Sequence, residues 1–337
     1  MTHDPARPAR DVLIVVPCLN EEANLPRLLT GLLADANGAD IVVADGGSTD
    51  RSHAIVRELQ RAHPNLHLLD NPGRIQSAGV NLAVTAMGHA KRWLLRVDAH
   101  CDYPPGYMSG LLDSAARQAA SSVVVPMITQ GQRCFQRACA FAQNSVIGTG
   151  GSPHRHVGEG RYVDHGHHAL MRIDLFMAVG GYRECQSHNE DAELDLRLQA
   201  AGGRIWLEPS QAIVYHPRAT PLALLRQYFR YGDGRARTMR LHGTKLKPRQ
   251  ALPLLVPIAL AMVPLALIHP LFAVPALGWA SICLLYGLAI GVRAGSICAA
   301  GSGLAAMTMH LGWGAGYLYQ LLQPRPSGRR LPALTLR

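Results

Sequence analysis

The sequence predicts a doubly wound α/β domain with a mostly parallel sheet, followed by a C-terminal segment of transmembrane helices. Two observations support this prediction. Five short apolar runs recur with starts 25 to 30 residues apart, at 12–16, 41–44, 66–69, 93–97 and 123–125. Near the C-terminus, residues 251–322 contain no Asp, Glu or Lys and only one Arg, Arg293. Continuous apolar strands that alternate with helices are typical of a parallel sheet covered on both faces.

Helices are expected between these strands, as the alternating pattern requires. They are expected at 21–35, 49–62, 75–88 and 107–119. Asn20 and Ser48 precede the first two and are residue types that cap helix N-termini. A later helix is expected at 189–201, with Asn189 as its N-cap and a glycine pair at its end.

The apolar C-terminal stretch predicts membrane spans. Charged residues make up 17% of the chain, below the roughly 25% that is usual for soluble proteins. Because about 20 apolar residues cross the hydrocarbon core, the stretch is long enough for about three spans. They are expected at 251–268, 271–292 and 296–322. A buried hairpin of a soluble protein is the alternative, but it would need a polar face, which this segment hardly offers.

The distribution of charge favours a membrane surface as partner and disfavours nucleic acid. Residues 1–217 hold 19 basic and 22 acidic side chains, whereas residues 218–250 hold nine basic and one acidic. Because basic residues that flank a span stay in the cytoplasm, the first domain is expected to be cytoplasmic. Three spans would place the arginines of the tail on the other side, against the same rule, whereas two or four spans would not.

These patterns divide the chain into four parts. They are an α/β domain at 1–217, a basic amphipathic juxtamembrane segment at 218–250, the apolar helices at 251–322 and a basic tail at 323–337.

Neither the cysteines nor the histidines predict a zinc site. The seven cysteines are an odd number without CxxC spacing, so free thiols in a reducing compartment are expected rather than a disulfide framework. Five histidines stand close together, without the cysteines or the Glu-x-x-His helix that zinc sites use. They are His154, His156, His165, His167 and His168. A loop over the cleft is expected there instead.

Polar residues follow the first three strands, at the edge of a parallel sheet where ligands bind. The candidates after the first two strands are Pro17, Leu19, Asn20, Glu21, Asp45 and Gly46. A carboxylate and helix-starting residues at this edge can hydrogen-bond a base or a ribose, and simple helix capping is the alternative. Arg74 follows the third strand, where it either contacts a diphosphate or is a solvated turn arginine.

Asp98 and His100 follow the fourth strand and predict a metal site. Being two positions apart in an extended segment, they share a face and can bind one Mg²⁺ or Mn²⁺, which would bridge the phosphate oxygens of a nucleotide. Asp102 or His216 would complete the ligand set. A turn closed by Asp98 and a satisfied histidine at a strand end are the alternatives.

Five motifs stand in order along the chain. They are VADGGSTD at 43–50, RVDAHC at 96–101, DHGHHAL at 164–170, HNEDAELD at 188–195 and QYFRYG at 227–232. With these motifs the chain resembles the family 2 glycosyltransferases with a GT-A fold, and within them the type that acts in succinoglycan biosynthesis. The resemblance covers about residues 11–240 by motif, and the apolar tail fits it too.

The resemblance implies roles for the residues at the strand ends. Pro17, Leu19, Glu21 and Asp45 would hold the uracil and ribose of a UDP-sugar, with Asn20, Gly46, Arg74 and Asp98 also in the nucleotide-sugar site. Asp98 and His100 would occupy the DxD position that binds the metal. The His in place of the second Asp leaves the identity of the metal open.

The acidic pair Glu190 and Asp191 would carry the catalysis. Acidic residues in a first helical turn are also favoured by the helix dipole, which is the structural alternative. The resemblance makes Asp191 the expected general base, which takes the proton of the acceptor hydroxyl during an inverting displacement.

Gln227, Arg230 and Tyr231 resemble a QxxRW motif with Tyr in place of Trp, which implies a position near the diphosphate and the acceptor sugar. An interfacial amphipathic helix is the competing interpretation. The Tyr favours addition of a single sugar over processive synthesis.

The expected function is therefore transfer of a hexose, glucose from UDP-glucose above all, to a polyprenyl-diphosphate-linked sugar in exopolysaccharide assembly. The enzyme would be integral to the bacterial inner membrane, with its catalytic domain in the cytoplasm and other polysaccharide-assembly enzymes as further partners. Transfer directly to polyprenyl phosphate, and a non-catalytic membrane scaffold or export component, are the alternatives.

Overall fold

The computed structural model describes residues 7–152, 158–186 and 188–324. The chain divides into two compact units, and each is described by itself. The first comprises Met1–Thr129 and Ser152–His216, and the second comprises Gln130–Gly151 and Pro217–Arg337. Residues 130–151, which the sequence places in the α/β domain, therefore belong to the second unit. The tail from residue 325 onward lies outside the described residues, as do His154 and His156.

The first unit is built on an eight-stranded mixed sheet with the order β3-β2-β1-β4-β9-β6-β10-β8. Its strands are β1 (Val12–Cys18), β2 (Asp40–Asp45), β3 (Leu66–Asp70), β4 (Trp93–Arg96), β6 (Ser122–Val125), β8 (Arg161–Tyr162), β9 (His167–Arg172) and β10 (Ile205–Leu207). The first four are parallel, as predicted, whereas β9 runs antiparallel to both of its neighbours.

A second, three-stranded sheet has the order β5-β11-β7. Its strands are β5 (Cys101–Asp102), β7 (Met127–Thr129) and β11 (Ile213–Tyr215). Strand β5 follows the candidate metal residues directly, and β11 pairs with it in antiparallel fashion.

Helices cover both faces of the large sheet. The helices of the first unit are α1 (Arg7–Arg10), α2 (Leu25–Asp35), α3 (Ser52–Gln60), α4 (Gln76–Met87), α5 (Tyr107–Arg117), α8 (Ile173–Ala178) and α9 (Glu190–Ala200). Alternate residues of β1 point to opposite faces: Ile14 packs in a cluster with α2, α3 and α5, whereas Leu13 packs in a cluster with α4, α8 and α9. Each fully buried Leu or Ile contributes about 1.5–3 kcal/mol to folding.

The first two predicted helices begin later than the sequence suggests. Helix α2 starts at Leu25 because residues before it form a turn, closed by a hydrogen bond from the N–H of Asn24 to the carbonyl of Glu21 at 2.9 Å. Asn24, not Asn20, stands at its N-cap, and Arg51 stands at the N-cap of α3. Asn20 and Ser48 instead form hydrogen bonds that join the loop after β1 to the loop after β2.

The second unit is helical. Its helices are α6 (Cys134–Gln143), α7 (Val146–Thr149), α10 (Pro221–His242), α11 (Pro248–Ala251), α12 (Leu255–Met262), α13 (Val274–Ala294), α14 (Ile297–Ala300) and α15 (Ser302–Leu322). Helix α15 packs closely along α10, since a Cβ on Gly316 would collide with the carbonyl of Phe229 and one on Gly232 with the carbonyl of Trp313. At the far end, Nη1 of Arg240 donates to the carbonyl of Gln323 at 3.0 Å.

Two helical segments in the described part of the chain are long and apolar enough to cross a membrane, judged by length and composition. They are Pro248–Leu267 and Pro270–Ala294, and little of either is buried inside the protein. These match two of the three expected spans. The third expected span forms α15, which does not meet the same criterion. The number of spans stays a prediction.

One disulfide corrects the expectation of seven free thiols. Cys134, the first residue of α6, is bonded to Cys298 in α14. The two cysteines lie 164 positions apart, so no local spacing in the sequence could predict that they pair.

Candidate active site

The loops after β1 and β2 are joined by hydrogen bonds through Asn20, Asp45 and Ser48. The hydroxyl of Ser48 donates to Oδ1 of Asp45 at 2.5 Å and accepts from the backbone N–H of Asn20 at 2.8 Å. Oδ1 of Asn20 in turn accepts from the N–H of Thr49 at 2.8 Å. Asp45 is buried, and its carboxylate holds this loop at the carboxyl edge of the parallel strands.

Gly46 and Arg74 extend this edge toward β3. The N–H of Gly46 donates to the carbonyl of Cys18 at 2.8 Å, and its carbonyl accepts from Nε of Arg74 at 3.3 Å. A Cβ on Gly46 would lie 3.1 Å from the carbonyl oxygen of Arg74, which favours glycine there. Arg74 is exposed at this edge, where its guanidinium is available to an anion.

Pro17 and Leu19 flank the same edge. Pro17 pairs with Ala44 inside the sheet. Leu19 is an apolar side chain that is 44% exposed. The structure thus places Leu19, Asn20, Asp45, Gly46 and Arg74 at the carboxyl edge of the parallel strands, where β1 and β2 end, and their roles in nucleotide binding stay predictions.

Asp98 and His100 stand where β4 ends, as predicted. Oδ1 of Asp98 accepts from Nε2 of Gln76 at 2.8 Å and from Nε of Arg96 at 3.2 Å. Burial raises the pKa of Asp98, but the charges of Arg96, His167 and His100 together outweigh burial, and the pKa lies below its usual value. Asp98 is therefore ionised.

The residues around Asp98 fit a divalent cation. One ligand atom each of Asp98, His100 and Cys101 lies within 4.8 Å of the others, and Nδ1 of His100 is 3.3 Å from Oε1 of Glu21. The carboxylate oxygens suit Mg²⁺ or Mn²⁺, whereas the imidazole of His100 is a less usual ligand for Mg²⁺. Asp102, expected as a further ligand, instead pairs with Arg27 and with Nε2 of His216, the latter at 3.0 Å.

Glu190 and Asp191 open helix α9, after Asn189 at the N-cap position. Asp191 forms an ion pair with the buried guanidinium of Arg96, which also lies 3.8 Å from Oε1 of Glu190. Burial raises the pKa of Asp191, but Arg96, His168 and His167 together outweigh burial, and the pKa lies far below its usual value. Burial and then the charge of Asp191 raise the pKa of Glu190 to about 7. The adjacent carboxyls are thus driven apart in acidity, as in acid–base sites.

The structure adds side chains to the site that the sequence analysis did not select. Arg96 joins Asp98 to Asp191, and Nε2 of His167 lies 3.6 Å from Oδ2 of Asp98 while its Nδ1 lies 3.9 Å from Oδ2 of Asp191. His167 and His168 belong to β9 and are buried, so the loop expected there is wrong for these two residues. The signals for Arg96 are its place as first residue of the motif at 96–101 and its charge at the end of an apolar strand.

Gln227, Arg230 and Tyr231 lie on α10 in the second unit. Nε2 of Gln227 donates to Oη of Tyr231 at 2.9 Å, and Arg230 is exposed. Tyr231 also packs edge-on against Tyr228. Their predicted roles at the diphosphate and acceptor stay predictions.

Comparisons with known proteins agree with this architecture. The family model described as glycosyl transferase family 2 matches residues 13–180. The chain is 48% identical over 320 residues to the succinoglycan biosynthesis protein ExoA of Rhizobium meliloti (strain 1021), which covers 93% of this chain and 96% of that protein. It is 25% identical to the beta-monoglucosyldiacylglycerol synthase of Synechocystis sp. over 67% of this chain, and spans about half (48%) of that relative.

A solved structure supports the fold. The mannosyltransferase PcManGT from Pyrobaculum calidifontis, in complex with GDP-Man and Mn²⁺, superimposes with a TM-score of 0.56 at 20% identity. The match covers 93% of this chain and 87% of that one. The predicted GT-A type α/β fold is thereby confirmed. The family model and the 48% identity to the relative from Rhizobium meliloti, over 93% of this chain, show that the chain is an enzyme that belongs to the family 2 glycosyltransferases.

Proposed function

We propose that this enzyme transfers a hexose, with inversion, from a UDP-sugar to a polyprenyl-diphosphate-linked sugar during exopolysaccharide assembly. One observation carries the proposal. A single buried cation, Arg96, contacts both the carboxylate suited to a metal, Asp98, and the carboxylate suited to a base, Asp191. Donor activation and acceptor deprotonation can therefore take place side by side.

The donor would lie on the edge formed by the loops after β1, β2 and β3. The Asp45 loop and Glu21 hydrogen-bond the uracil and ribose, Leu19 packs on the ring, and Arg74 meets the diphosphate. Asp98 and His100 would hold Mg²⁺ or Mn²⁺, which when bound neutralises charge on the departing nucleoside diphosphate. Mn²⁺ in the structure of the mannosyltransferase supports this assignment.

Asp191 would act as the general base. The acceptor hydroxyl gives its proton to the Asp191 carboxylate as its oxygen bonds to the anomeric carbon. The bond from that carbon to the diphosphate oxygen breaks, and its electron pair leaves with UDP. An inverting displacement needs one base and a stabilised leaving group, and an ionised Asp191 is ready for this role. Glu190, with a pKa near neutrality, is the second candidate base.

A membrane location supports a lipid-linked acceptor. Little of either apolar helical segment is buried inside the protein, and basic residues precede them, including Arg235, Arg237 and Arg240. Arginine and lysine next to a span favour the cytoplasmic side of a bacterial inner membrane. Gln227, Arg230 and Tyr231 precede these helices and would face the acceptor. Confining the acceptor to that surface raises its local concentration, and other assembly enzymes would work on the same lipid.

The name of the relative from Rhizobium meliloti supports the exopolysaccharide assignment, since its printed role is succinoglycan biosynthesis. Glucose from UDP-glucose is the donor proposed first. Membership of an enzyme family argues against the non-catalytic scaffold.

The test is a transfer assay with the purified full-length chain in lipid nanodiscs. A panel of UDP-hexoses is supplied with a polyprenyl-diphosphate-linked sugar, with Mg²⁺ or Mn²⁺, and UDP release and the glycolipid mass are measured. Asp191→Asn and Asp98→Ala should lose at least about 100-fold in turnover, whereas Asp113→Asn, at an exposed position on α5, should match the parent. Equal turnover of Asp191→Asn and the parent would contradict the proposal.

The acceptor is decided by a second arm of the same assay. Polyprenyl phosphate replaces the diphosphate-linked sugar, and the product is extracted and its mass is measured by mass spectrometry. A product formed only from polyprenyl phosphate would replace the acceptor named above.

A further inference from the structure

None of the roles proposed above for binding the donor, the cation or the acceptor falls to the buried pair His168 and Asp195. Both side chains are fully buried, and Nε2 of His168 lies 2.8 Å from Oδ1 of Asp195. The backbone N–H of Gly166 donates to the other carboxylate oxygen at 3.3 Å. A carboxylate withdrawn from water costs several kcal/mol unless it is paired and hydrogen-bonded. Asp195 meets this condition through His168 and Gly166, so the pair has a fixed geometry.

The other nitrogen of His168 fixes the hydroxyl of Tyr182. Nδ1 of His168 lies 2.5 Å from Oη of Tyr182. Asn81 holds the backbone of Tyr182 from helix α4, donating to its carbonyl and accepting from its N–H, each at 2.8 Å. The ring packs edge-on against Phe176 at 5.5 Å between centroids. The hydroxyl is therefore held in one place by its ring, its backbone and its partner.

The Tyr182 hydroxyl lies next to the proposed base. It accepts from Nη1 of Arg96 at 3.0 Å and lies 3.4 Å from Oδ1 of Asp191. Nδ1 of His168 is also 3.4 Å from this oxygen. Oδ1 of Asp191 is thus enclosed by Arg96, Tyr182 and His168. The second oxygen, Oδ2, points the other way, toward Nδ1 of His167 at 3.9 Å.

We propose that Asp195, His168 and Tyr182 form a positioning chain that fixes Oδ1 of Asp191 and thereby presents Oδ2 to the acceptor hydroxyl. The inference rests on the proposed function, because it takes Asp191 as the base. Asp195 orients the imidazole, the imidazole orients the tyrosine hydroxyl, and the hydroxyl together with Arg96 limits rotation of the Asp191 carboxylate. A displacement of a reacting group by about 1 Å can cost about 100-fold in rate.

The positioning chain gives a role to His168 of the histidine-rich motif at 164–170, which neither a zinc site nor a loop over the cleft accounts for. His168 lies next to the proposed base, Asp191, and Asp195, the last residue of the motif at 188–195, orients its imidazole. Residues of two motifs thus meet on one side of Asp191, away from Asp98.

The deciding variant is Tyr182→Phe, which keeps the ring and its packing and removes only the hydroxyl. In the nanodisc transfer assay we expect kcat to fall about 10-fold to 100-fold, while KM for the UDP-sugar stays within about twofold because the nucleotide residues are untouched. Asp195→Asn, which keeps the shape and loses the charge, should show the same split. Tyr162→Phe removes the hydroxyl of an exposed tyrosine on β8 and should leave both constants unchanged.

Melting temperatures of all variants separate positioning from folding. Tyr182→Phe with a parental melting temperature and a reduced kcat supports the inference. Parental kcat in Tyr182→Phe and Asp195→Asn, with only the melting temperature lowered, would show a purely structural role and overturn it. Asp191→Asn is measured in parallel: if it is as active as the parent, the proposed function fails as well, whereas an inactive Asp191→Asn beside a fully active Tyr182→Phe refutes the positioning chain alone.

Discussion

The buried guanidinium of Arg96 forms an ion pair with the half-buried carboxylate of Asp191, although 95 positions separate the two residues in the chain. Because Nε of the same guanidinium donates to Asp98 at 3.2 Å, the end of β4 and the start of α9 share one cation. Removal of one partner of a buried ion pair leaves the other charge without compensation, which costs about 3–5 kcal/mol. Arg96 therefore links the stability of the first unit to the geometry of its candidate active site.

Arg96→Lys should separate these two contributions. A lysine keeps the charge but lacks the planar fork that contacts Asp98, Asp191 and Tyr182 together. We expect turnover to fall by at least about tenfold, with a smaller loss of unfolding free energy than in Arg96→Ala. Transfer assays and chemical denaturation measure the two effects. Arg117→Lys, at an exposed position of α5, is the matched control, and parental turnover in Arg96→Lys would refute the shared role.

Glu190 should make stability fall as the pH rises toward neutrality. Burial and the charge of Asp191 raise the pKa of Glu190 from 4.5 to about 7. Between these values the native chain binds a proton that the unfolded chain has released, so raising the pH destabilises the native state by up to about 1.4 kcal/mol per pH unit. We expect Glu190→Gln to flatten this slope and to melt at a higher temperature than the parent at about pH 8.

Thermal unfolding between about pH 5 and pH 8 tests this prediction. Glu58→Gln, on the exposed side of α3, changes the same chemistry outside the cluster and should keep the parental slope. An equal slope in parent and Glu190→Gln would show that Glu190 is ionised throughout this range.

Removal of divalent cations with a chelator should abolish sugar transfer, and Mg²⁺ or Mn²⁺ should restore it. His100→Ala should raise the metal concentration for half-maximal activity by about tenfold or more. His100→Asp should instead lower the Mg²⁺ requirement, because a carboxylate suits Mg²⁺ better than an imidazole does. Titration of activity against each metal measures this. The exposed His89→Ala is the control, and full activity in the presence of excess chelator would contradict the metal assignment.

Gly316→Ala should destabilise the packing of α15 on α10. The added Cβ would collide with the carbonyl of Phe229, and strain of this kind costs about 1–3 kcal/mol. Gly31→Ala in α2 meets no atom within 4 Å and should be neutral or stabilising by up to about 1 kcal/mol. Melting temperatures in nanodiscs compare the two. Equal melting temperatures for both variants would show that α15 and α10 accommodate the added Cβ without loss of stability.

The parallel part of the sheet could be predicted because its strands are continuous apolar runs. The carboxyl ends of parallel strands share an edge, so Asp45 and Asp98 were expected there together. Strand β9 could not be found in this way, because its first two residues are histidines and a polar pair in this context suggests a loop. Those histidines are buried in the sheet because Asp98, Asp191 and Asp195 compensate them, and such pairing over 23 or more positions leaves no local signal.

The same contrast between local motifs and distant contacts applies to the proposed base, Asp191, and the residues around it. Glu190 and Asp191 were found through a motif, and the predicted N-cap at Asn189 is confirmed in position. Arg96 is the first residue of the motif at 96–101, but the sequence does not reveal which carboxylates its guanidinium meets. Tyr182, which lies outside every motif, contributes only through three-dimensional contacts.

The bond between Cys134 and Cys298 encloses both apolar helical segments in a covalent ring. One cysteine precedes the segments and the other follows them, so the chain must come back to where it left. If it enters a bilayer in that interval, each outward passage is matched by a return, and the count of crossings is even. Helix α15 then starts on the face from which the chain departed, and the arginine-rich end of the protein need not be carried across the bilayer.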